Sequence, residues 1–370
     1  MSLWEINLNS MSEESMSTAT IENNAKVTIL LLNYNGWKDA IECLESVYKI
    51  TYPNWELILV DNGSVDGSVS RIKECAAGKI PVESKVFEYD AERKPIESIE
   101  ELFYDEEEAR VKVSKRDKEW DTLLLHQKLS ILRIEKNRGF TGGNNIGIEY
   151  ILKERKTDYI LLLSNDTVVD REFLTELVKV AESDEKIGIV GAVNYYYDKP
   201  EKIWAYGEKI NFWKGKSYHI DVNARDTEQH NMIEEADYVA GSCFLIKKEV
   251  IEKVGMLDHE YFAYWDEADW CARARKAGYK VLCPPKAKIW HKIASTNKKI
   301  SGFFEYYNTR NKFLFMKKYA TRVQFISFML CFFVFDFWFT SGMLFYHKNI
   351  KALISFYKGI KDGLLHIMRG

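Results

Sequence analysis

Four apolar runs in the first half of the chain each stop in a short polar loop and give way to helical spacing. Val27–Asn33 (VTILLLN) ends at Asn-Tyr-Asn-Gly, after which Ala40, Ile41, Leu44, Val47 and Tyr48 recur at helix spacing. Glu56–Asp61 (ELILVD) ends at Asn62-Gly63-Ser64, ahead of a short helix over about 68–76. Leu129–Ile134 leads through the loop Asn137–Gly143 into a helix over about 144–155. Tyr159–Leu163 leads through Ser164-Asn165-Asp166-Thr167 into a helix beginning near Arg171, and Ile187–Val193 is strand-like again. A continuous apolar run such as Val27–Asn33 suits a strand buried on both faces. Strand, loop and helix in alternation predict an α/β fold, a Rossmann-like and mainly parallel sheet flanked by helices. Ligands of such sheets sit at the carboxyl ends of the strands, where these polar loops emerge.

Composition narrows the function classes. The chain has 370 residues, 46% of them hydrophobic and 29% charged, so a folded protein with a sizeable core is expected. A net charge of −3 excludes the large basic excess of a nucleic-acid binder, and equally a strongly acidic solvating protein. The six cysteines form no C-x-x-C pair and no cluster with histidine, which predicts reduced, buried thiols and no zinc site.

Residues 83–128 break the pattern with a charged stretch that includes Asp105-Glu106-Glu107-Glu108; it reads as a solvated, partly helical surface insertion. The second half is less regular. Trp204–Phe212 and Tyr238–Ile246 precede a helix over Glu267–Ala277 that ends at Gly278, and Tyr279–Cys283 is a strand before Pro284-Pro285. Residues 1–24 lack an apolar signal core and read as a flexible tail, which predicts a cytosolic catalytic part.

Three groups of residues carry chemistry. Asp61 and Asp166 each follow an apolar strand, a position that ordinary turn chemistry also favours. The loop Asn137–Asn145 brings Gly139, Gly142 and Gly143 to a helix start, whose free N–H groups favour a phosphate or diphosphate. It is neither G-x-G-x-x-G nor a Walker sequence, which disfavours hydride transfer and P-loop chemistry. In Tyr264-Trp265-Asp266-Glu267-Ala268-Asp269-Trp270 three carboxylates lie among aromatic side chains at a helix start. Dipole complementarity explains some of them. A desolvated carboxylate there suits a general base, and the aromatic setting suits a sugar cleft. His291, after Trp290, is either structural or, with a carboxylate, a ligand for a divalent cation.

The blocks TILLLNYNG (28–36), LVDNGSVDGS (59–68), NRGFTGGNNIGI (137–148), LLLSNDTVVD (161–170) and YFAYWDEADWCARARKAGY (261–279) stand in the order expected of glycosyltransferase family 2, with YYNTRN (306–311) as a sixth. The chain resembles the rhamnosyltransferase-like members of that family. The resemblance implies a GT-A-type fold over about 25–300 and inverting transfer of a sugar, rhamnose or a hexose, from a dTDP- or UDP-linked donor. By carry-over, Asn33, Asn35 and Asp61, with Asn62, hold the nucleobase and ribose, and Arg138, Gly142 and Asn144 lie near the ribose and diphosphate. Asn165 and Asp166 occupy the D-x-D-like position, so Asp166 is the expected ligand of Mg²⁺ or Mn²⁺, with His291 as a further ligand. Arg310 is expected near the leaving phosphate, and Trp265 and Asp269 on the acceptor side, Asp269 also orienting Arg273. Two departures stand out: Asn165 replaces a common carboxylate, and the usual Glu-Asp pair is inverted to Asp266-Glu267. Glu267 matches the usual base by position, with Asp266 as its competitor. The competing readings are a non-catalytic nucleotide-sugar-binding subunit and a sugar nucleotidyltransferase.

Residues 301–370 are expected to form a helical, membrane-associated region. Phe325–Tyr346 contains no Lys, Arg or Glu, and as a helix would be about 33 Å long, enough to span a bilayer despite Asp336. Lys312, Lys317, Lys318 and Arg322 precede it, and Lys348, Lys351, Lys358, Lys361 and Arg369 follow. Basic flanks on both sides predict a re-entrant or interfacial segment, bent at Ser341-Gly342, on the cytoplasmic face of a membrane. A buried helix of a soluble domain is the alternative. A lipid-linked saccharide or glycan acceptor would account for the membrane.

Overall fold

The computed structural model describes residues 25–88, 96, 98–124, 127–220, 222–224, 232–293 and 301–369. The expected tail over residues 1–24 lies outside them. The first half alternates as anticipated: β1 (Val27–Asn33), α1 (Trp37–Val47), β2 (Trp55–Asn62), α2 (Ser68–Ala76), β3 (Ser98–Asp105), β4 (Arg110–Lys115), β5 (Lys128–Ile134), α3 (Gly139–Glu154), β6 (Tyr159–Ser164), β7 (Thr167–Val169), α4 (Phe173–Glu182) and β8 (Ile187–Gly191). There follow β9 (Val193–Tyr196), β10 (Lys199–Ala205), β11 (Glu208–Asn211), β12 (Lys216–His219), β13 (Glu234–Glu235), β14 (Cys243–Lys247), α5 (Lys248–Val254), α6 (Asp266–Lys276), β15 (Lys280–Cys283) and β16 (Lys288–His291).

Ten strands form the main sheet, in the order β13-β15-β8-β14-β6-β1-β2-β5-β3-β4. Its centre, β6-β1-β2-β5, is parallel; β14 enters antiparallel between β6 and β8. Leu32 pairs with Ser164, and Asn33 with Asp61, so the three polar strand ends emerge level with one another. Alternate side chains of β1 feed two cores. Leu30 packs with Ile148 and Ile151 of α3, while Ile29 and Leu31 pack with Ala40 and Leu44 of α1 and Leu174 of α4. A second sheet, β10-β9-β16-β7, stands beside the strand ends, with β11-β12 as a separate hairpin.

The insertion differs from its expected surface character. Its strand β3 lies parallel to β5 and carries β4 outside it, extending the main sheet. Ser98, Glu100 and Leu102 point inward in alternation. Glu100 is fully buried, ion-paired to Arg116 and Arg155 and hydrogen-bonded to Ser130 Oγ at 2.7 Å. A buried carboxylate of this kind makes an inward-facing strand look like a charge run.

The carboxyl-terminal helices are α7 (Phe303–Tyr319), α8 (Arg322–Cys331), α9 (Phe337–Tyr346) and α10 (Ile350–Arg369). A π-helical turn, Phe332–Asp336, joins α8 to α9, so residues 322–346 form one 25-residue helix. Its irregularity is this π turn; Ser341 and Gly342 lie within α9, where the bend was expected. Asp336 is paired with Lys216 of β12 at 2.8 Å. On the side facing the domain Phe328 and Phe332 pack on Phe313 of α7. Elsewhere the helix is open: Ile326, Leu330, Val334, Phe335, Trp338, Phe339 and Met343 are exposed, which is not the profile of a core helix.

Candidate active site

At the level edge of β1, β2 and β6 the polar side chains bind one another. Asn33 donates through Nδ2 to Asp61 Oδ1 at 3.0 Å and Ser64 Oγ at 3.2 Å, and its Oδ1 accepts from Asn165 Nδ2 at 2.9 Å. Asn35 adopts φ +49°, and its Oδ1 accepts from the Val65 N–H at 2.8 Å. A Cβ on Gly36 would lie 2.7 Å from Asn165 Nδ2, so a side chain there would displace the Asn165 amide from Asn33. Asn62 turns the other way. Its Nδ2 donates to Asn137 Oδ1 and the Gly139 carbonyl, and its Oδ1 accepts from the Arg138 N–H, all within 3.0–3.1 Å. Buried at 2% exposure, it secures the neighbouring loop.

The glycine-rich loop also departs from expectation. Helix α3 begins at Gly139, and its first N–H groups are already bonded: Gly139 to Asn137 Oδ1 at 2.8 Å, Phe140 to the Phe262 carbonyl at 3.0 Å, and Thr141 to the same carbonyl at 3.5 Å. No open phosphate cradle is left at these amides. The glycines serve close packing, since a Cβ on Gly143 would lie 2.7 Å from Leu32 Cδ1 and one on Gly142 2.8 Å from Arg138 Cβ. Asn144 is buried, donating to the Phe140 carbonyl at 3.0 Å. Arg138 keeps a partly exposed guanidinium, ion-paired to Glu106 in the β3–β4 turn.

Asp166 and His291 come together as the sequence suggested. Strand β16 pairs His291 with Thr167 of β7, which sets His291 Nε2 3.2 Å from Asp166 Oδ1. His291 Nδ1 is buried and has no partner among the described residues. One carboxylate oxygen from the turn before β7 and one imidazole nitrogen from the end of β16 fit Mg²⁺ or Mn²⁺, which keep further positions for phosphate and water. Among the described residues no group of three or more His, Cys, Asp and Glu side chains is placed to hold a metal.

The carboxylates of α6 follow a strained turn. Tyr264 and Trp265 adopt φ +66° and +69°, left-handed values unusual for large side chains. Two asparagines of α7 hold this turn: Asn311 Nδ2 donates to the Ala263 and Tyr264 carbonyls, and Asn308 Oδ1 accepts from Trp265 Nε1 at 2.8 Å. Asp266 is sealed, 1% exposed, with one oxygen unpartnered among the described residues. Glu267 is half-buried, its carboxyl carbon 3.9 Å from where a Cβ on Gly241 would lie. Burial pushes both carboxyls above their usual range, Asp266 well above, because it also shares a hydrogen bond with Glu267 and feels its charge. The accessible member is therefore Glu267.

Trp265 and Asp269 are not placed for the acceptor role expected of them. The Trp265 ring is 7% exposed and packs on Phe315 at 5.0 Å. Asp269 is fully buried and accepts from Arg273 Nε at 2.8 Å, and from Lys318 Nζ and Tyr319 OH at 2.7 Å each, tying α6 to α7. Its expected link to Arg273 is present. Arg310 Nη1 donates to the Glu260 carbonyl at 2.8 Å, anchoring the loop ahead of the turn.

Residues 126–311, just over half the chain, match the family model described as glycosyltransferase-like family 2, and residues 28–90 match glycosyl transferase family 2. The chain belongs to glycosyltransferase family 2. Among curated relatives of this glycosyltransferase, the low-salt glycan biosynthesis hexosyltransferase Agl10 of Haloferax volcanii is 26% identical over 65% of this chain and 76% of its own. The dTDP-rhamnosyl transferase RfbF of Shigella flexneri is 29% identical over 54% of this chain and 66% of its own. The mannosyltransferase PcManGT of Pyrobaculum calidifontis, solved with GDP-Man and Mn²⁺, shares the fold with a TM-score of 0.50 at 13% identity, covering 91% of this chain and 74% of that one.

Around the glycosyltransferase site the fold adds residues that the sequence reading missed. Glu208 and His219 are cross-strand partners of β11 and β12, with Glu208 Oε1 3.1 Å from His219 Nδ1. Trp204 lies between the two histidines, its ring centroid 4.7 Å from His219 and 5.2 Å from His291. The aromatic density of 204–218 is the one local hint of this cluster; no motif spacing announces it.

Proposed function

We propose that this glycosyltransferase is an inverting enzyme that moves rhamnose or a hexose from a dTDP- or UDP-linked donor to a hydroxyl of a glycan or lipid-linked saccharide. The observation that carries the reading is the pairing of Asp166 and His291, a cation-ligating set, with an accessible carboxylate of raised pKa, Glu267. Asp166 and His291 would hold Mg²⁺ or Mn²⁺, which when bound neutralises charge growing on the leaving diphosphate. Glu267 accepts the proton of the acceptor hydroxyl. That oxygen forms its bond to the anomeric carbon as the bond from carbon to diphosphate breaks, so the nucleoside diphosphate leaves with the electron pair and the configuration inverts. Asp266, sealed and protonated, donates its hydrogen bond to Glu267 and keeps that carboxylate in place. Asn33, Asn35 and Asp61 form the floor for the nucleoside, and Arg138 and Arg310 supply positive charge at its rim.

The exposed apolar side of residues 322–346, followed by the basic residues of α10, supports attachment at the cytoplasmic face of a membrane, where a lipid-linked acceptor resides. The relative named for glycan biosynthesis and the one named for dTDP-rhamnosyl transfer favour the same substrate classes.

The stereochemistry tests the mechanism. With the donor that binds best, slow hydrolysis followed by proton NMR should release the sugar first as the anomer opposite to that of the donor. Release of the retained anomer contradicts single displacement.

A further inference from the structure

The chemistry proposed above fixes where the transferred sugar has to lie. Its breaking bond points to a diphosphate near Asp166 and His291, and its forming bond to an acceptor oxygen at Glu267. Trp204 stands at the first of those ends, against His291. One edge of its ring meets His291 in a T-shaped contact at 5.2 Å, and its other neighbour is the His219 ring at 4.7 Å. His219 is thus one ring removed from His291, with Trp204 in contact with both.

The hairpin that carries His219 is built to hold it still. Glu208 is 1% exposed, and its backbone N–H donates to the Tyr238 carbonyl at 3.0 Å, fixing β11 to the main domain. Tyr206 and Gly207 bond to Ile220 on the far strand, at 3.2 and 3.1 Å. At the hairpin's other end Lys216 is paired with Asp336, and the Trp213 carbonyl accepts from Ser327 Oγ at 2.9 Å. Placing a glutamate in a dry site carries a desolvation cost, and one hydrogen bond to an imidazole offsets it in part. Glu208 Oε2 remains buried and unpartnered among the described residues. A structural hairpin has no need of such a group. Orienting a ring does: Glu208 engages Nδ1 and leaves Nε2 of a ring that is one-third exposed as the polar atom without a partner among the described residues.

We infer that Trp204 and His219, the latter oriented by Glu208, form the wall that recognises the transferred sugar ring and sets donor-sugar specificity. The inference rests on the proposed function. Trp204 offers an aromatic surface to the apolar side of the ring, and His219 Nε2 a hydrogen bond to one of its hydroxyls. Glu208 is a positioning residue. An aromatic platform with one or two placed polar groups is the composition expected of a small-ligand site.

The test separates the sugar from the nucleotide. Calorimetry on the full chain with Mg²⁺ would compare dTDP with dTDP-rhamnose, and UDP with UDP-glucose and UDP-galactose. In His219→Ala and Trp204→Leu the nucleotide sugar should bind about 10-fold or more weakly, while the bare nucleoside diphosphate stays within about twofold of wild type. Glu208→Leu should behave like His219→Ala. Glu208→Gln, whose side-chain oxygen can still accept from Nδ1–H, should recover the sugar's share of affinity, a rescue that a merely structural role would not show. Equal losses for nucleotide and nucleotide sugar, or no loss in either, would overturn the inference and leave the proposed function standing. If the wild type binds none of these ligands, both readings fail together.

Discussion

The side-chain amide of Asn311 donates to the Tyr264 carbonyl at 2.9 Å, two residues before Asp266. The same Nδ2 also bonds the Ala263 carbonyl at 2.8 Å, and Arg310 Nη1 fixes the amide by donating to Asn311 Oδ1 at 2.9 Å. The last of the sequence blocks, YYNTRN, thus clamps a left-handed turn that delivers both carboxylates of the candidate site. Two residues with positive φ cost of order 1–3 kcal/mol each, and persist only where the surroundings hold them.

Removing that clamp should therefore weaken fold and activity together. Asn311→Ala strips the partner from two carbonyls, which predicts a loss of about 1–3 kcal/mol in stability. Urea denaturation measures it. Donor hydrolysis should fall in the same variant while nucleotide affinity holds, because the turn positions Glu267 and not the nucleotide floor.

The two neighbouring carboxylates should separate by their effect on turnover. Glu267→Gln removes the proposed base and should lower kcat by about 10²–10⁴-fold with nucleotide affinity unchanged. Asp266→Asn keeps a hydrogen-bond donor toward Glu267 and should retain most of the activity. A kinetic comparison in which Asp266→Asn is the more damaged variant would transfer the role of base to Asp266.

Proton linkage gives the pair opposite signatures in activity and stability. Glu267 must be ionised to act, and its pKa is raised from 4.5, so turnover should fall as pH drops through a value above 4.5. Asp266 holds its proton in the folded state to well above its ordinary 3.8. The folded state then binds more protons than the unfolded one, and stability falls as pH rises between the two pKa values. Asp266→Asn abolishes that fall. Its Tm should exceed that of wild type at about pH 8, with the gap closing toward about pH 4. A gap independent of pH would mean that Asp266 is ionised in the fold.

The apolar side of residues 322–346 should bind vesicles. Fully burying one large apolar side chain is worth about 1.5–3 kcal/mol. Trp338→Glu with Phe339→Glu, both exposed, should abolish sedimentation with anionic lipid vesicles without lowering Tm. Unchanged sedimentation would remove the membrane from the account.

What the sequence disclosed follows from the range of the interactions involved. Strands β1, β2, β5 and β6 were legible because each carries a short apolar run between turn residues, and the polar ends of β1, β2 and β6 mark the site edge directly. The pairing of Asp166 with His291 was reached only through the order of the motifs, since the two are brought together by β7 and β16. Strand β3 was hidden because Glu100 has its partners at Arg116 and Arg155, remote in sequence. The glycines after Asn137 suggested an anion cradle. Seeing that Phe262 caps those amides requires the tertiary fold. Asp269 looked like a site residue for want of Lys318 and Tyr319, which reach it from α7. Glu208 and His219 sit on a hairpin of weak pattern, hinted at only by the aromatic residues around them.

A cation held by Asp166 and His291 should carry the binding of the nucleotide sugar. Calorimetric titration of dTDP-rhamnose and UDP-hexoses, each with Mg²⁺, with Mn²⁺ and with EDTA, should show saturable binding of one donor with metal, loss of that binding in EDTA, and the same loss in Asp166→Ala and His291→Ala with metal present. Binding indifferent to EDTA and to both substitutions would mean that the cation and this pair do not hold the donor.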